Sequence, residues 1–119
     1  EIKQETIQGG SAIIKLRGRS SFQSPAYNAV KMIEAAMGGA PFTLPAGTYV
    51  NTDKYKNVMM AMPTTIDATG CHYTMPQGTP EEMAALDASY AHLCKMRDEI
   101  VELGIVPPVA DWKKDNANL

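Results

Sequence analysis

Much of what ordinarily signals chemistry is missing from this sequence. Only two of its 119 residues are cysteine, Cys71 and Cys94, and they stand far apart. Two such thiols cannot make a disulfide framework, and nothing resembling a signal peptide precedes them, so a reducing, cytoplasmic setting is expected. No apolar run approaches the length of a bilayer, which argues against a membrane partner. The net charge is −2 and the eleven Lys and Arg are scattered, so there is no basic patch to attract nucleic acid. A Gly-x-Ser-x-Gly nucleophile elbow and a glycine-rich dinucleotide loop are both absent.

Histidine is as scarce as cysteine. His72 adjoins Cys71 and His92 lies two before Cys94, a residue choice that suits zinc but a spacing that does not. Neighbours on a strand point to opposite faces, and helix positions two apart diverge. No metal site is therefore expected, and Cys94 reads as a small buried apolar residue. Neither histidine has a recognisable carboxylate partner, so no catalytic residue is assigned.

What is present is the composition of a soluble globular domain, 45% hydrophobic and 20% charged. The length fits one compact domain that buries ~65% of its unfolded surface. The chain opens on Glu1-Ile2-Lys3-Gln4-Glu5, which looks like the inside of a helix with no cap ahead of it and reads as a piece of a longer chain.

Residues 1 to about 17 carry a loose helical stripe, Ile2, Thr6, Ile7, Ile13 and Leu16, interrupted by Gly9-Gly10. Two glycines cost a helix about 1 kcal/mol each relative to alanine. Either the helix breaks there or another backbone comes close, and the apolar pattern resuming in phase favours close packing. A second helix is predicted from Ser21 or Ser24 to Met37, with Pro25 in its first turn and Gly38-Gly39 closing it. Its stripe, Ala26, Val30, Ile33 and Met37, suits tight packing against another helix.

Phe42 to Asn51 has strand composition, but Pro45 and Gly47 make it an edge or bulged strand. Asn57 to Ile66 reads as a strand partly buried on both faces. Asp67-Ala68-Thr69-Gly70 is the turn, and Cys71 to Met75 returns antiparallel. The last helix is announced by Thr79-Pro80-Glu81-Glu82, a capping box with proline at the first position. Met83, Leu86, Tyr90, Leu93, Met96 and Ile100 carry its stripe, Arg97, Asp98 and Glu99 lie largely off it, and Gly104 ends it. Pro107 and Pro108 stop any continuation, leaving a mostly polar tail in which Trp112 either pins the tail to the body or stays exposed. The fold class is α+β: two helices, a small twisted antiparallel sheet of about three strands, and a long C-terminal helix.

One stretch suits ligand chemistry. Gly18-Arg19-Ser20-Ser21-Phe22-Gln23-Ser24-Pro25 puts a cation and three hydroxyls ahead of a helix N-terminus, where backbone N–H groups favour a carboxylate or phosphate. The simpler reading is that serines there only cap the helix.

The order of these pieces carries a resemblance. Gly9-Gly10-Ser11-Ala12-Ile13-Ile14-Lys15-Leu16, then Gly18 to Ala26, then Leu44-Pro45-Ala46, then Val58-Met59-Met60-Ala61-Met62-Pro63 and the Thr69-Gly70 turn resemble the C-terminal domain of the lactate/malate dehydrogenase family. The Ser-x-x-Ser-Pro-Ala form of the link is most like the bacterial malate dehydrogenases built on the lactate dehydrogenase plan. The resemblance covers nearly the whole chain, so residues 1–119 are expected to form a substrate-side C-terminal domain.

It implies an α+β fold and a parent oxidoreductase that moves a hydride reversibly between malate or oxaloacetate and NAD. It also implies that an N-terminal domain outside this chain holds most of the NAD, together with the catalytic histidine, its aspartate and the arginines that grip the 2-oxo acid. Neither His72 nor His92 matches the catalytic position. Ser21 matches a substrate-pocket position near the carboxylate, with Ser20 as the alternative because the alignment is gapped by one. Pro25 matches the position that packs on the nicotinamide ring, and Gln23 and Arg19 fall at the pocket rim. The expected partners are the dicarboxylate substrate, the chain's own N-terminal domain, and further copies in a homodimer or homotetramer. Two rival readings are a lactate or other 2-hydroxy acid dehydrogenase domain and a stand-alone protein-interaction module.

Overall fold

The computed structural model describes residues 2–117. In chain order the elements are α1 (Ile2–Arg17), α2 (Gln23–Ala36), β1 (Phe42–Val50), β2 (Val58–Asp67), β3 (Gly70–Tyr73), α3 (Pro80–Glu102) and α4 (Val109–Asp115). The strands make one antiparallel sheet in the order β1-β2-β3, so the α+β class predicted from the sequence is correct. As Pro45 and Gly47 suggested, β1 is an edge strand. The described residues fall into two compact units, one running up to Phe42 with Ile66–Gly70, the other comprising Thr43–Thr65 and the chain from Cys71 onward.

In the first unit, α1 continues without interruption through Gly9 and Gly10. A Cβ added at either glycine would meet nothing within 4 Å, so the close packing expected there is not made among the described residues. No residue of α1 is buried. The α2 stripe is corrected in the same sense. Ala26, Val30, Ile33 and Met37 all face outward, and the side turned in is Asn28, Lys31, Met32 and Ala35, of which only Ala35 is fully buried. Helical periodicity locates an apolar stripe but cannot say whether the surface it seeks belongs to the same chain.

The end of α2 follows its sequence. Gly38 takes φ 93°, its N–H bonds Ala35 O at 3.1 Å, and the Gly39 N–H bonds Glu34 O at 2.9 Å. This pair of reversed bonds satisfies carbonyls that have no helical partner, and it needs the positive φ that glycine adopts freely.

The core lies in the second unit. Val50, Tyr55, Val58, Met60 and Met62 are buried, with Tyr73 and, from α3, Leu86, Tyr90 and Leu93 packed against them. Along β2, Val58, Met60, Met62 and Thr64 point inward while Met59, Ala61 and Pro63 point out. The strand therefore buries one face among the described residues, where burial on both was expected. Two buried hydroxyls satisfy each other across the sheet. Thr48 Oγ1 and Thr64 Oγ1 lie 3.0 Å apart, and each also has a backbone carbonyl within reach, Ala46 O at 3.3 Å from Thr48 and Met62 O at 2.8 Å from Thr64.

α3 begins as its sequence dictates. The Glu82 N–H donates to Thr79 Oγ1, and the Thr79 N–H donates to the Glu82 carboxylate at 2.8 Å. At the far end the Gly104 and Ile105 N–H groups close onto Val101 O and Ile100 O. Arg97, read as lying largely off the packed stripe, in fact reaches the β1–β2 connection: its Nη1 donates to Lys56 O at 3.1 Å and to Asn57 O at 3.0 Å. Cys94 is half-buried rather than buried, and Cys71 is exposed.

The tail contains a short helix that the sequence reading missed. Pro107-Pro108 ends α3's path but also supplies a fixed φ ahead of α4, and the Asp111 N–H bonds Pro108 O at 2.9 Å. Trp112 is half-buried and pinned. Its Nε1–H donates to Pro107 O at 2.8 Å, and its ring lies 6.5 Å from that of Tyr49.

Candidate functional site

The link between α1 and α2 is built by three local features. Gly18, at φ 72°, ends α1 while its N–H still bonds Ile14 O at 2.8 Å. Arg17 Nη1 then spans the link to Gln23 Oε1 at 3.3 Å. The Arg19 guanidinium lies 5.0 Å from the centre of the Phe22 ring, a cation–π distance.

The residue at the N-cap of α2 is Phe22, and no side-chain oxygen caps the helix. The serines of the link therefore do not have the capping role that is usual for them. Ser20 and Ser21 instead line a cavity of ≈ 220 Å³ with Gly10, Ile13 and Ile14 of α1. The three α1 residues share a face because they are three and four positions apart. Gly10 leaves that face open, with nothing within 4 Å of where its Cβ would be.

The cavity joins two hydroxyls of the link to an apolar wall from α1, an arrangement that offers donors to an oxyanion beside apolar surface. Ser21 is half-buried and Ser20 exposed. The other residues singled out from the sequence are not brought into this lining. Pro25 sits in the first turn of α2 and is exposed, Gln23 is engaged by Arg17, and Arg19 is stacked on Phe22. Gly10 and Ile13 were read as packing residues, and Ile14 was named only within the segment that carries the family resemblance. Their signal as a cavity wall was available only in part, since the i, i+3, i+4 spacing marks a common face without saying what it faces.

The second unit holds a different concavity, ≈ 300 Å³, walled by Val58, Met59, Leu93, Met96 and Ile100 with Arg97 and Trp112 among its other residues. It is apolar, and the Arg97 guanidinium is already committed to Lys56 O, Asn57 O and Asp98 Oδ1, the last at 2.8 Å. A more polar cluster lies nearby in sequence. Asp87 Oδ1 accepts from Tyr55 Oη at 2.6 Å and pairs with Lys54 Nζ at 2.7 Å. Lys54 first, and then the Tyr55 hydroxyl, hold the Asp87 carboxyl below its ordinary value. In turn the carboxylate, with burial behind it, raises Tyr55. Each member of this cluster has a partner, and the arrangement ties Tyr55 to α3. Among the described residues no three His, Cys, Asp or Glu side chains come together as a metal site. No described helix is long and apolar enough to cross a membrane.

Comparison with known proteins bears on the same segments. The profile described as lactate/malate dehydrogenase, alpha/beta C-terminal domain, matches residues 1–103. A malate dehydrogenase of Thermomicrobium roseum is 34% identical over 91 residues, which cover 74% of this chain and 29% of that protein. The chain thus corresponds to less than a third of that relative's length. The profile match runs through both helices, the sheet and the whole of α3, and leaves only the region of α4 outside. By that extent, and by an α+β architecture that agrees with it, the chain belongs to the lactate/malate dehydrogenase family, as its C-terminal domain.

Proposed function

We propose that this chain is the substrate-side domain of an NAD-dependent malate dehydrogenase. The observation that carries the reading is the cavity at Ser20 and Ser21, whose hydroxyls are left out of helix capping and meet an apolar wall from α1. In the parent enzyme a hydride passes reversibly between C2 of malate and the nicotinamide, with a histidine from the portion outside this chain as general base.

The part of this chain is to bind and orient. Ser21, or Ser20 beside it, donates a hydrogen bond to the substrate carboxylate, and Ile13 and Ile14 keep water from that side. NAD supplies the hydride acceptor. The sequence has no glycine-rich phosphate loop, so what it offers the cofactor is limited to an apolar surface, of which Pro25 is the candidate against the nicotinamide ring. Arg19 and Gln23 shape the rim. A cytoplasmic setting and a homo-oligomeric parent complete the reading.

The test is NADH consumption with oxaloacetate and with pyruvate, run on this chain and on the full-length parent. An active parent that prefers oxaloacetate, beside an inert isolated chain, supports the proposal. Preference for pyruvate replaces malate by lactate as the substrate. If neither acid is turned over, the exposed α1 and α2 favour the interaction-module reading.

A further inference from the structure

Ser20 and Ser21 line the candidate carboxylate cavity, yet nothing in their own side-chain bonding fixes them there. Neither hydroxyl caps α2, and among the described residues neither is held by another side chain or by a carbonyl. Their place is set from the two ends of the link. At one end Gly18, at φ 72°, turns the chain out of α1. At the other the Ala26 N–H bonds Phe22 O at 3.0 Å as α2 begins. A side-chain hydrogen bond then crosses the whole link. It runs from Arg17 Nη1, on the last residue of α1, to Gln23 Oε1, on the first residue of α2, at 3.3 Å.

The chemistry of this tie suits an anion. Residues 6–33 contain Lys15, Arg17, Arg19 and Lys31 but no Asp or Glu. Arg17 is held by an amide oxygen, and Arg19 by the face of the Phe22 ring. Both partners order a guanidinium without cancelling its charge. A carboxylate in place of Gln23 would grip Arg17 more strongly, but it would set a negative charge beside a cavity suited to an oxyanion. Because the bond is exposed it adds little to stability. What it does is close a loop over residues 18–22, which include both serines. That closure narrows the positions the two hydroxyls sample against Gly10, Ile13 and Ile14.

We infer that Arg17 and Gln23 are positioning residues, a clasp of uncancelled charge that holds Ser20 and Ser21 where their hydroxyls meet the carboxylate of a 2-oxo acid. This inference rests on the reading of the link as the substrate-carboxylate site, and adds to it what fixes that site.

The experiment measures oxaloacetate kinetics in the full-length parent. Gln23→Met keeps the size of the side chain, removes the acceptor and changes no charge. It is expected to raise KM about threefold with kcat retained and the thermal midpoint unmoved. The same substitution in a protein that carries Ser20→Ala and Ser21→Ala is expected to add nothing further, since no hydroxyl is left to position. Gln23→Glu supplies the acceptor again together with a charge. Its KM is expected to be raised at low ionic strength and to match the native protein's at about 0.5 M salt, where screening acts within roughly 4 Å, while that of Gln23→Met stays raised. A native KM in Gln23→Met, an undiminished effect without the serines, or a Gln23→Glu as impaired as Gln23→Met in high salt would each overturn the inference. If the variant lacking both serine hydroxyls itself keeps a native KM, the carboxylate site fails and the clasp with it. A raised KM in that variant beside a native one in Gln23→Met removes the clasp alone.

Discussion

The Tyr55 hydroxyl donates to Asp87 across 32 residues of sequence, joining the fully buried ring in the β1–β2 connection to α3 at 2.6 Å. The same ring meets Tyr90 edge-on at 5.1 Å, and the Tyr90 hydroxyl accepts from the Lys56 N–H at 3.0 Å. The connection is thus held to α3 by two phenols as well as by packing. Tyr55→Phe keeps the ring and removes one donor, so a loss of about 1 kcal/mol is expected in urea unfolding. A variant as stable as the native protein would show that this bond adds nothing net.

Asp87 also makes stability depend on pH. Because Lys54 and then Tyr55 lower its folded pKa, the unfolded state takes up the proton first as acid is added. The contribution is fully present above the ordinary carboxyl value near ~4 and is lost as pH falls through the lowered folded value. Unfolding midpoints measured from neutral pH down to about pH 2 should therefore fall less steeply in Asp87→Asn than in the native protein. Parallel curves would remove Asp87 from the acid response.

Arg97 is expected to resist conservative replacement. One Nη1 serves two carbonyls, Lys56 O and Asn57 O, while Nε and Nη2 hold Asp98, an arrangement that needs the planar fork of guanidinium. Asn57 takes φ 51°, a left-handed conformation uncommon outside glycine, and its carbonyl is one of the two that Arg97 grips. Arg97→Lys should lower stability by about 1–2 kcal/mol, read as a shift in thermal midpoint. If lysine substitutes without loss, the contact is a charge effect rather than a shaped one.

In the full-length parent, Ser21→Ala is expected to raise KM for oxaloacetate by roughly tenfold, the scale of one hydrogen bond to a charged group. Ser20→Ala is the comparison that decides which hydroxyl faces the substrate. If both variants keep native kcat and KM, the cavity at the link is not the carboxylate site.

The sequence revealed the second unit far better than the first, and the reason is physical. A capping box at Thr79, the glycine closure at Gly104 and the strand composition around β1 and β2 are local signals, each decided by residues within one turn or one strand, as is the closure at Gly38 in the first unit. The stripes of α1 and α2 are equally periodic, yet they record the surface a helix seeks rather than the one it finds. For that reason Val30 and Ile33 read as core and emerge exposed. At the candidate site, Ser20 and Ser21 were visible as hydroxyls at a helix start. Gly10, Ile13 and Ile14 joined them only once the path of the chain through Gly18 was known. Arg97 was misplaced because its partners are backbone carbonyls, which have no sequence signature.

α1 spans 16 residues with two central glycines and buries none of its side chains. A helix of that length and composition stands near the limit of what survives in water without tertiary support. Its amides should therefore exchange with solvent orders of magnitude faster than those of β2, and its peptide bonds should be the first cut by a protease whenever the apolar side is uncovered. Protection of α1 then becomes a local reporter of assembly: deuterium retained at Ile13 and Ile14 would register a covering surface before any change in the core at Met60 and Met62.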